Sequence, residues 1–471
     1  MARRKRIKKI VKNLKVHGIA DKGMAVARDE EGLVYFVKGA VPGDEIDMLV
    51  LRKKKGFQTG IVNEFLSYSP KRIEPVCEHF GLCGGCKWQN LSYPDQLLFK
   101  QENVTAAITR IAKLQEDIIY PILGSKLTTL YRNKLEYSFS TKRWLTDEEI
   151  HSDATDLQKP AVGFHAPGTF DKIIDVRKCH LQDDKSNDIR NWFRAYANEK
   201  DLSYYDIKGH TGFFRNLIVR NSTLEEWMVN IVLGENKKEE ILAICKKLIT
   251  DFPFITTLFY TINKKVNDTI LDQEVILYHG PGFIKEKLGD LTFKIGPKSF
   301  FQTNSTQAKV LYDKVVAFAS LEGTENVYDL YTGTGSIALY LAAHCKKVVG
   351  IESVKEAIDD AHYNKELNGI ANADFLVGDV KDVLTTTFKD KYGHPDVIVT
   401  DPPRAGMHKD VVETLLELKA KKIVYVSCNP ATQARDLLLL SALYDVTRVQ
   451  PVDMFPHTSH IESIALLELK S

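Results

Sequence analysis

The sequence has no long hydrophobic run and no pattern of paired cysteines. Its longest apolar stretches, residues 337–343 and 437–440, are far shorter than the roughly 20 residues that a membrane-spanning helix requires. The basic residues 1–6 are not followed by the apolar core of a secretion signal. The seven cysteines, an odd number, argue against a disulfide framework and for metal binding or catalysis in a reducing compartment. We therefore expect a cytoplasmic protein with no membrane partner, and we take it to be a monomer.

Charge is unevenly distributed along the 471 residues. The net charge is +2, but residues 1–15 contain eight Lys or Arg and no acid, so the remaining residues carry 56 basic and 62 acidic side chains, a net charge of −6. A basic arm on an otherwise acidic protein suits a polyanion such as RNA, because phosphates are neutralised locally. A solubilising tail would have the same composition.

The first part of the chain is typical of a small β-barrel. Residues 10–66 alternate short apolar runs with turn signals about every 8 to 12 residues. Residues 36–44, Phe-Val-Lys-Gly-Ala-Val-Pro-Gly-Asp, resemble the TRAM domain, a small barrel appended to RNA-modifying enzymes. Residues 52–55, Arg-Lys-Lys-Lys, are then predicted to form a basic loop on its rim. A barrel without a ligand is the alternative.

The remaining chain divides into an α+β region and a region where strands alternate with helices. Residues 93–114 show helical apolar spacing, and strand-like segments follow between residues 130 and 285. The later alternation predicts a parallel sheet. Its strands are predicted at residues 326–330, 347–352, 374–377, 396–400, 422–427, 447–454 and 462–469. We predict three domains, residues 1–68, 69–285 and 286–471, and expect the helix of residues 93–115 to pack on the last.

A glycine-rich turn follows the first of these strands, within residues 327–336, Val-Tyr-Asp-Leu-Tyr-Thr-Gly-Thr-Gly-Ser. Glycine lets the backbone approach a ligand closely at the carboxyl end of a strand, and Glu352 ends the next strand, where an acid can accept both ribose hydroxyls of a nucleoside. The third glycine of a dinucleotide fold is missing, which suits S-adenosylmethionine (SAM), a cofactor without phosphate. The pattern resembles class I methyltransferases; a purely structural turn is the alternative. This resemblance implies a Rossmann-like domain that binds SAM through Tyr331, Gly333, Gly335, Glu352 and Asp379.

Four further segments follow in order: Ser-Phe-Phe-Gln-Thr-Asn at 299–304, Asp-Pro-Pro-Arg-Ala-Gly at 401–406, Val-Ser-Cys-Asn-Pro at 426–430 and His-Ile-Glu at 460–462. Together they resemble the uridine-5-methyltransferases of rRNA and tRNA. Carbon 5 of uracil is a poor nucleophile, so a thiolate such as that of Cys428 must first add to carbon 6 and leave afterwards. The resemblance implies Glu462 as the base and places Asp401 and Gln302 at the cofactor or the flipped uracil. A buried structural cysteine and a surface glutamate are the alternatives.

Four other cysteines, Cys77, Cys83, Cys86 and Cys179, supply soft ligands. Four thiolates commonly hold zinc, but their uneven spacing among glycines also suits an iron-sulfur cluster. The pattern resembles the cluster-bearing rRNA branch of the family, which implies a 4Fe-4S cluster in the central domain, with zinc as the alternative. A fourth cysteine ligand leaves no open iron for radical SAM chemistry.

Taken together, the sequence predicts a 23S rRNA (uracil-5-)-methyltransferase that uses SAM. The TRAM-like barrel and the cluster cysteines favour rRNA. A tRNA T-loop uridine-5-methyltransferase is the alternative enzyme, and a catalytically silent RNA-binding protein is the remote alternative.

Overall fold

The structure is a computed structural model that describes residues 9–20, 23–152, 157 and 159–471. Most of the predicted basic arm, residues 1–8, lies outside the described residues. Among those residues, no helix is both long and apolar enough to cross a membrane. Three sheets and one hairpin follow each other along the chain.

The first sheet is a closed five-stranded barrel, as the turn spacing predicts. Its strands, in the order β1-β2-β3-β5-β4, are β1 Ile10–Ile19, β2 Ala25–Arg28, β3 Val34–Lys38, β4 Glu45–Lys54 and β5 Phe57–Ser67. Alternating residues such as Leu14, Val16 and Met48 fill the interior. The predicted basic loop is wrong in one respect. Arg52, Lys53 and Lys54 are exposed residues of β4, and only Lys55 and Gly56 form the turn.

The second sheet has seven strands in the order β12-β11-β10-β9-β6-β7-β8 and is covered by helices, which gives the predicted α+β arrangement. The elements of this part are α1 Tyr93–Arg110, a 3-10 turn Glu116–Ile118, β6 Lys134–Ser140, α2 Asp147–Ile150, β7 Ala161–His165, β8 Ile173–Asp175, α3 Asp184–Glu199, β9 Phe214–Asn221, β10 Trp227–Leu233, α4 Lys238–Asp251, β11 Ile255–Ile262 and β12 Val275–His279. A hairpin, β13 Ile284–Leu288 and β14 Leu291–Ile295, leads to the last sheet.

The third sheet also has seven strands, in the order β17-β16-β15-β18-β19-β21-β20. Five are parallel, whereas β21 runs antiparallel to both β19 and β20. The elements are α5 Ser305–Ala319, β15 Asn326–Leu330, α6 Ser336–Ala342, β16 Lys347–Glu352, α7 Lys355–Leu367, β17 Ala373–Val377, α8 Val380–Val383, α9 Thr386–Tyr392, β18 Val397–Thr400, α10 Lys409–Leu418, β19 Lys422–Ser427, α11 Pro430–Leu440, β20 Tyr444–Val452 and β21 Glu462–Leu469. Every strand predicted in this region is present.

Helix α1 packs on the third sheet although it precedes the second in the chain. Its start is capped by Ser92, whose hydroxyl accepts the Asp95 backbone N–H. Val104 and Ile108 are fully buried in the core beside β20 and β21, and burial of such side chains contributes about 2 kcal/mol each. The helix thereby links the cysteine-rich segment before it to the sheet.

Candidate active site

The predicted site residues meet at one edge of the third sheet. The glycine-rich turn follows β15, Asp401 follows β18 and Cys428 follows β19, so all three lie at the carboxyl ends of parallel strands. Glu462 begins β21, and because that strand is antiparallel, its first residue lies at the same edge. Ser427 pairs with Ser463, which places Cys428 beside Glu462.

The thiol and the two carboxyl groups influence each other's ionisation. Burial, followed by the charges of Glu462 and Asp401, raises the pKa of Cys428 to about 11. Burial raises the pKa of Asp401 to about 7. Burial and the charge of Asp401 raise the pKa of Glu462 well above its ordinary value. A carboxylate with a raised pKa is a better base near neutral pH than an exposed one.

Arg404 supplies the positive charge of this cluster, a role that the sequence analysis did not assign. It lowers the pKa of Cys428 and of Glu462, against the larger effect of burial. Its Nη2 lies 2.7 Å from Nδ1 of His460. Because arginine only donates, Nδ1 accepts. Burial and the charge of Arg404 lower the pKa of His460 to about 4, which keeps the ring neutral.

Helix α11 holds the loop that carries Asp401 and Arg404. The Asn429 side-chain amide donates to the Arg404 carbonyl at 3.1 Å. The fully buried Asp436 accepts the Met407 backbone N–H at 2.9 Å. The loop is thus bonded to α11 at Arg404 and at Met407, and its two prolines restrict the backbone directly after Asp401.

The glycine-rich turn adopts a backbone that other residues resist. Gly333 has φ 55° and Gly335 has φ 78°, both in the left-handed region. A Cβ on Gly335 would lie 2.8 Å from the Phe375 ring, whereas a Cβ on Gly333 would meet no atom of the protein within 4 Å. Gly333 therefore faces open space at the end of β15.

The acid at the end of β16 is held in place beside this turn. One carboxylate oxygen of Glu352 accepts the Gly333 backbone N–H at 3.2 Å, and the other accepts the Val354 N–H at 3.0 Å. Tyr331, which has a left-handed φ of 65°, lies close enough to Glu352 and Asp379 for their charges to raise its pKa, although burial is the larger cause. Asp379 is exposed and caps α8.

The segment that carries Gln302 precedes α5 and contacts the loop before Glu462. The Gln302 carbonyl accepts the Asn133 side-chain amide at 3.0 Å. Asn304, which caps α5, donates to the Met454 carbonyl at 2.9 Å, so this segment lies against the loop that leads to Glu462. Phe301 is buried, whereas Phe300 is 70% exposed.

Comparison with known proteins finds a matching family model, similar relatives and a similar solved structure. The family model described as tRNA (uracil-5-)-methyltransferase matches residues 283–470. Relatives from Bacteroides thetaiotaomicron and Porphyromonas gingivalis, both described as uncharacterized RNA methyltransferases, are 51% and 47% identical and cover 96% of this chain and 100% and 99% of their own. The solved structure of Pyrococcus abyssi tRNA (uracil-54, C5)-methyltransferase in complex with S-adenosyl-L-homocysteine has a TM-score of 0.73 at 28% identity, covering 98% of this chain and 100% of that chain.

The chain belongs to the RNA uracil-5-methyltransferase family. The family resemblance, the class I methyltransferase fold and SAM as methyl donor are thereby confirmed. The barrel fits a TRAM-like domain.

In this uracil-5-methyltransferase, two further buried residues, Asp329 and Tyr312, lie close enough to Asp401 for its charge to raise their pKa, and neither was predicted. Asp329 is fully buried in β15, and burial raises its pKa to about 7, with Asp401 and Glu352 adding to the rise. The Tyr312 hydroxyl lies 2.9 Å from the Ser336 hydroxyl. Burial raises the pKa of Tyr312, and the charge of Asp401 adds to the rise. Asp329 precedes Gly333 by four residues, so its place directly before the glycine-rich turn could have identified it in the sequence.

The four other predicted cysteines line one cavity of about 170 Å³, together with Arg132 and His79. Burial raises the pKa of all four thiols, that of Cys83 to about 11 and that of Cys86 to about 12. The charges of Cys77 and Cys179 add to the rise at both. Among the described residues, no group of three or more His, Cys, Asp or Glu side chains is placed so that it could hold a metal ion.

The open space at Gly333 leads to a test of the cofactor site. Gly333→Ala should weaken SAM binding about tenfold, about 1.4 kcal/mol, because the added methyl group projects where the cofactor is expected. Isothermal titration with SAM measures the effect. Gly369→Ala is the matched control, because Gly369 also has a left-handed φ, of 63°, and no atom near its Cβ position, but lies away from the site after α7. Equal SAM affinities in both variants would contradict the assignment.

Proposed function

We propose that this enzyme methylates carbon 5 of a specific uridine in 23S rRNA, with Cys428 as nucleophile and Glu462 as base. The main support is the register of β19 and β21, which sets a thiol and a buried carboxyl group side by side at the cofactor edge of the sheet. A catalytically silent RNA-binding protein would not need this pair.

The reaction needs each of these groups in turn. The Cys428 thiolate adds to carbon 6, and the electron pair of the carbon 5–carbon 6 double bond moves towards the carbonyl oxygen at carbon 4. SAM, when bound, supplies the methyl group that carbon 5 takes up. The Glu462 carboxylate then removes the proton from carbon 5, the double bond reforms and the thiolate is expelled.

The charges around Cys428 fit this sequence of steps. A thiol with a pKa of about 11 is protonated at neutral pH, so it must lose its proton before it can add to carbon 6. Arg404 favours the thiolate, whereas Glu462 and Asp401 oppose it when they are charged. We propose that Gln302 and Asp401 contact the uracil or the cofactor, and that Tyr331, Gly333, Gly335, Glu352 and Asp379 bind SAM.

The choice between rRNA and tRNA rests on different observations. The barrel and the four-cysteine set resemble the rRNA branch of the family. The likeness to the Pyrococcus abyssi tRNA (uracil-54, C5)-methyltransferase favours the tRNA alternative, because it covers 98% of this chain rather than the methyltransferase sheet alone. The substrate test therefore needs both RNAs.

Incubation with SAM should methylate unmodified 23S rRNA at carbon 5 of a uridine and leave unmodified tRNA unchanged, as mapped by mass spectrometry of nuclease digests.

Cys428→Ala should lose methylation entirely while it binds SAM like the wild type, because the thiol does not belong to the glycine turn. Cys345→Ala, a buried cysteine elsewhere in the same sheet's core, is the matched control. Methylation of tRNA alone would establish the alternative, and turnover by Cys428→Ala would rule out the covalent mechanism.

Glu462→Gln should trap the reaction after methyl transfer, because the amide cannot remove the carbon 5 proton and the cysteine then cannot leave. A protein–RNA adduct that survives a denaturing gel should accumulate, with methyl label from SAM in it. Release of free methylated RNA at the wild-type rate would mean that another group is the base.

We further propose that Cys77, Cys83, Cys86 and Cys179 hold a 4Fe-4S cluster. Four thiols line one cavity, and their raised pKa values mean that without a cation they would be buried and protonated. The uneven spacing of the four cysteines among glycines favours a cluster over zinc. The cluster would order the segments that carry these cysteines.

Protein purified without oxygen should be brown, with broad visible absorbance and about four iron atoms per chain. Serine at any one of the four positions should remove the colour, because a hydroxyl is a poor ligand for iron. Cys245→Ser is the matched control, since Cys245 is fully buried in α4 and does not line the cavity. Colourless wild-type protein with one zinc ion per chain would show that zinc is the correct assignment.

A further inference from the structure

The loop of residues 453–461, here called the base loop, leads from β20 to Glu462 and is held by distant parts of the chain. Tyr131 donates to the Pro456 carbonyl at 2.9 Å, and Asn304 donates to the Met454 carbonyl at 2.9 Å. The strongest set of contacts comes from α1 and from the cysteine-rich segment before it. The conformation of the base loop therefore depends on elements outside the third sheet.

Gln96 of α1 lies at the centre of these contacts and is fully buried. Its Oε1 accepts the His457 backbone N–H at 2.8 Å. Its Nε2 donates to the carbonyls of Trp88 and Leu91, both at 2.9 Å, and lies 3.1 Å from Nδ1 of His457. Burial lowers the pKa of His457, so the ring beside this amide is neutral. The side-chain amide offers a donor and an acceptor at one end, and these contacts use both.

The cysteine-rich segment binds the same residue of the base loop. The backbone N–H groups of Lys87 and Trp88 both donate to the His457 carbonyl, at 2.8 and 3.1 Å. These residues directly follow Cys86. The His457 N–H is thus bonded to Gln96, and the His457 carbonyl is bonded to the two residues that follow Cys86.

Lys100, one turn after Gln96, fixes the start of the base loop. Its side chain is 1% exposed, and its Nζ lies 2.6 Å from a carboxylate oxygen of Asp453 and 3.1 Å from the Phe455 carbonyl. The other Asp453 oxygen accepts the Tyr93 hydroxyl at 2.9 Å. A buried ion pair bonded this fully defines one geometry and is costly to break.

Hydrogen bonds inside the base loop carry these restraints towards Glu462. The Thr458 hydroxyl donates to the Phe455 carbonyl at 2.8 Å and accepts the His460 N–H at 3.2 Å. The His460 ring in turn accepts from Arg404. The chain of bonds therefore ends two residues before Glu462.

We infer that Gln96 is a positioning residue, which couples the cysteine-rich segment to the placement of Glu462. This inference rests on the proposed role of Glu462 as the base. It gives the cysteine-rich segment a task in the reaction itself, because the order of residues 87 and 88 is transmitted through His457 to the residue that removes the carbon 5 proton.

The test is Gln96→Leu, followed in a single turnover on unmodified 23S rRNA, or on unmodified tRNA if that is the RNA the wild type methylates. We expect wild-type SAM affinity and methyl transfer into the adduct, but release slowed by about 10- to 100-fold, since a shift of about 1 Å from a remote substitution can cost that much. The adduct should therefore accumulate on denaturing gels, as in Glu462→Gln. If Gln96 only stabilised the fold, the variant would give less folded protein and would weaken SAM binding, methyl transfer and product release alike.

Asn263→Leu is the matched control. Asn263 is a fully buried amide with bonds to Asn267, Thr269 and Lys265, away from the base loop, so its variant should release product normally. If Gln96→Leu folds poorly by circular dichroism, Gln96→Glu replaces it, because that variant keeps the side-chain volume but loses the Nε2 donor that bonds the Trp88 and Leu91 carbonyls. Normal release by the folded Gln96 variant, with adduct trapped by Glu462→Gln, would overturn the inference. If Glu462→Gln traps no adduct, the proposed base is wrong and the inference falls with it.

Discussion

The antiparallel pairing of β21 with β19 is the constraint on which the rest of the site depends. In a purely parallel sheet, every strand would present only its carboxyl end at the edge where Cys428 lies. The reversed last strand brings its first residue, Glu462, to that edge and next to Cys428. A slip of one residue in this register would turn Glu462 to the opposite face, so the pairing fixes both the distance and the direction of the two side chains.

The edge also sets the electrostatic character of the site. A thiol and three carboxyl groups are gathered in a region where burial disfavours charge, and Arg404 is the positive group that acts on both Cys428 and Glu462. Each negative charge raises the pKa of its neighbours, so the groups cannot all ionise together. Their ionisation is consequently linked, which suits the proposed reaction, because that reaction needs a thiolate first and a carboxylate later.

Most of the third sheet could be predicted because its signals are local. The apolar strands, the glycine turn and Glu352 can each be recognised from a few neighbouring residues. Because sites in parallel sheets lie at the carboxyl ends of the strands, these residues can then be assigned to one site. The contact of Arg404 with His460 spans 56 residues and that of Gln96 with His457 spans 361, so neither has a local signature. The end of α1 was predicted too late, at residue 114. Leu114 continues the apolar pattern, although Lys113 has already turned to a left-handed φ of 62°.

Helix α1 shows why buried polar residues were the hardest to predict. Gln96, Lys100, Val104 and Ile108 are spaced by four and form one buried stripe along the helix. Apolar periodicity detects only the second half of the stripe, where Val104 and Ile108 face the sheet. The first half faces irregular backbone, the base loop, whose N–H and carbonyl groups need partners when they are removed from water. A glutamine and a lysine supply those partners, and the polarity that makes them look solvent-exposed in the sequence is the property that the base loop requires.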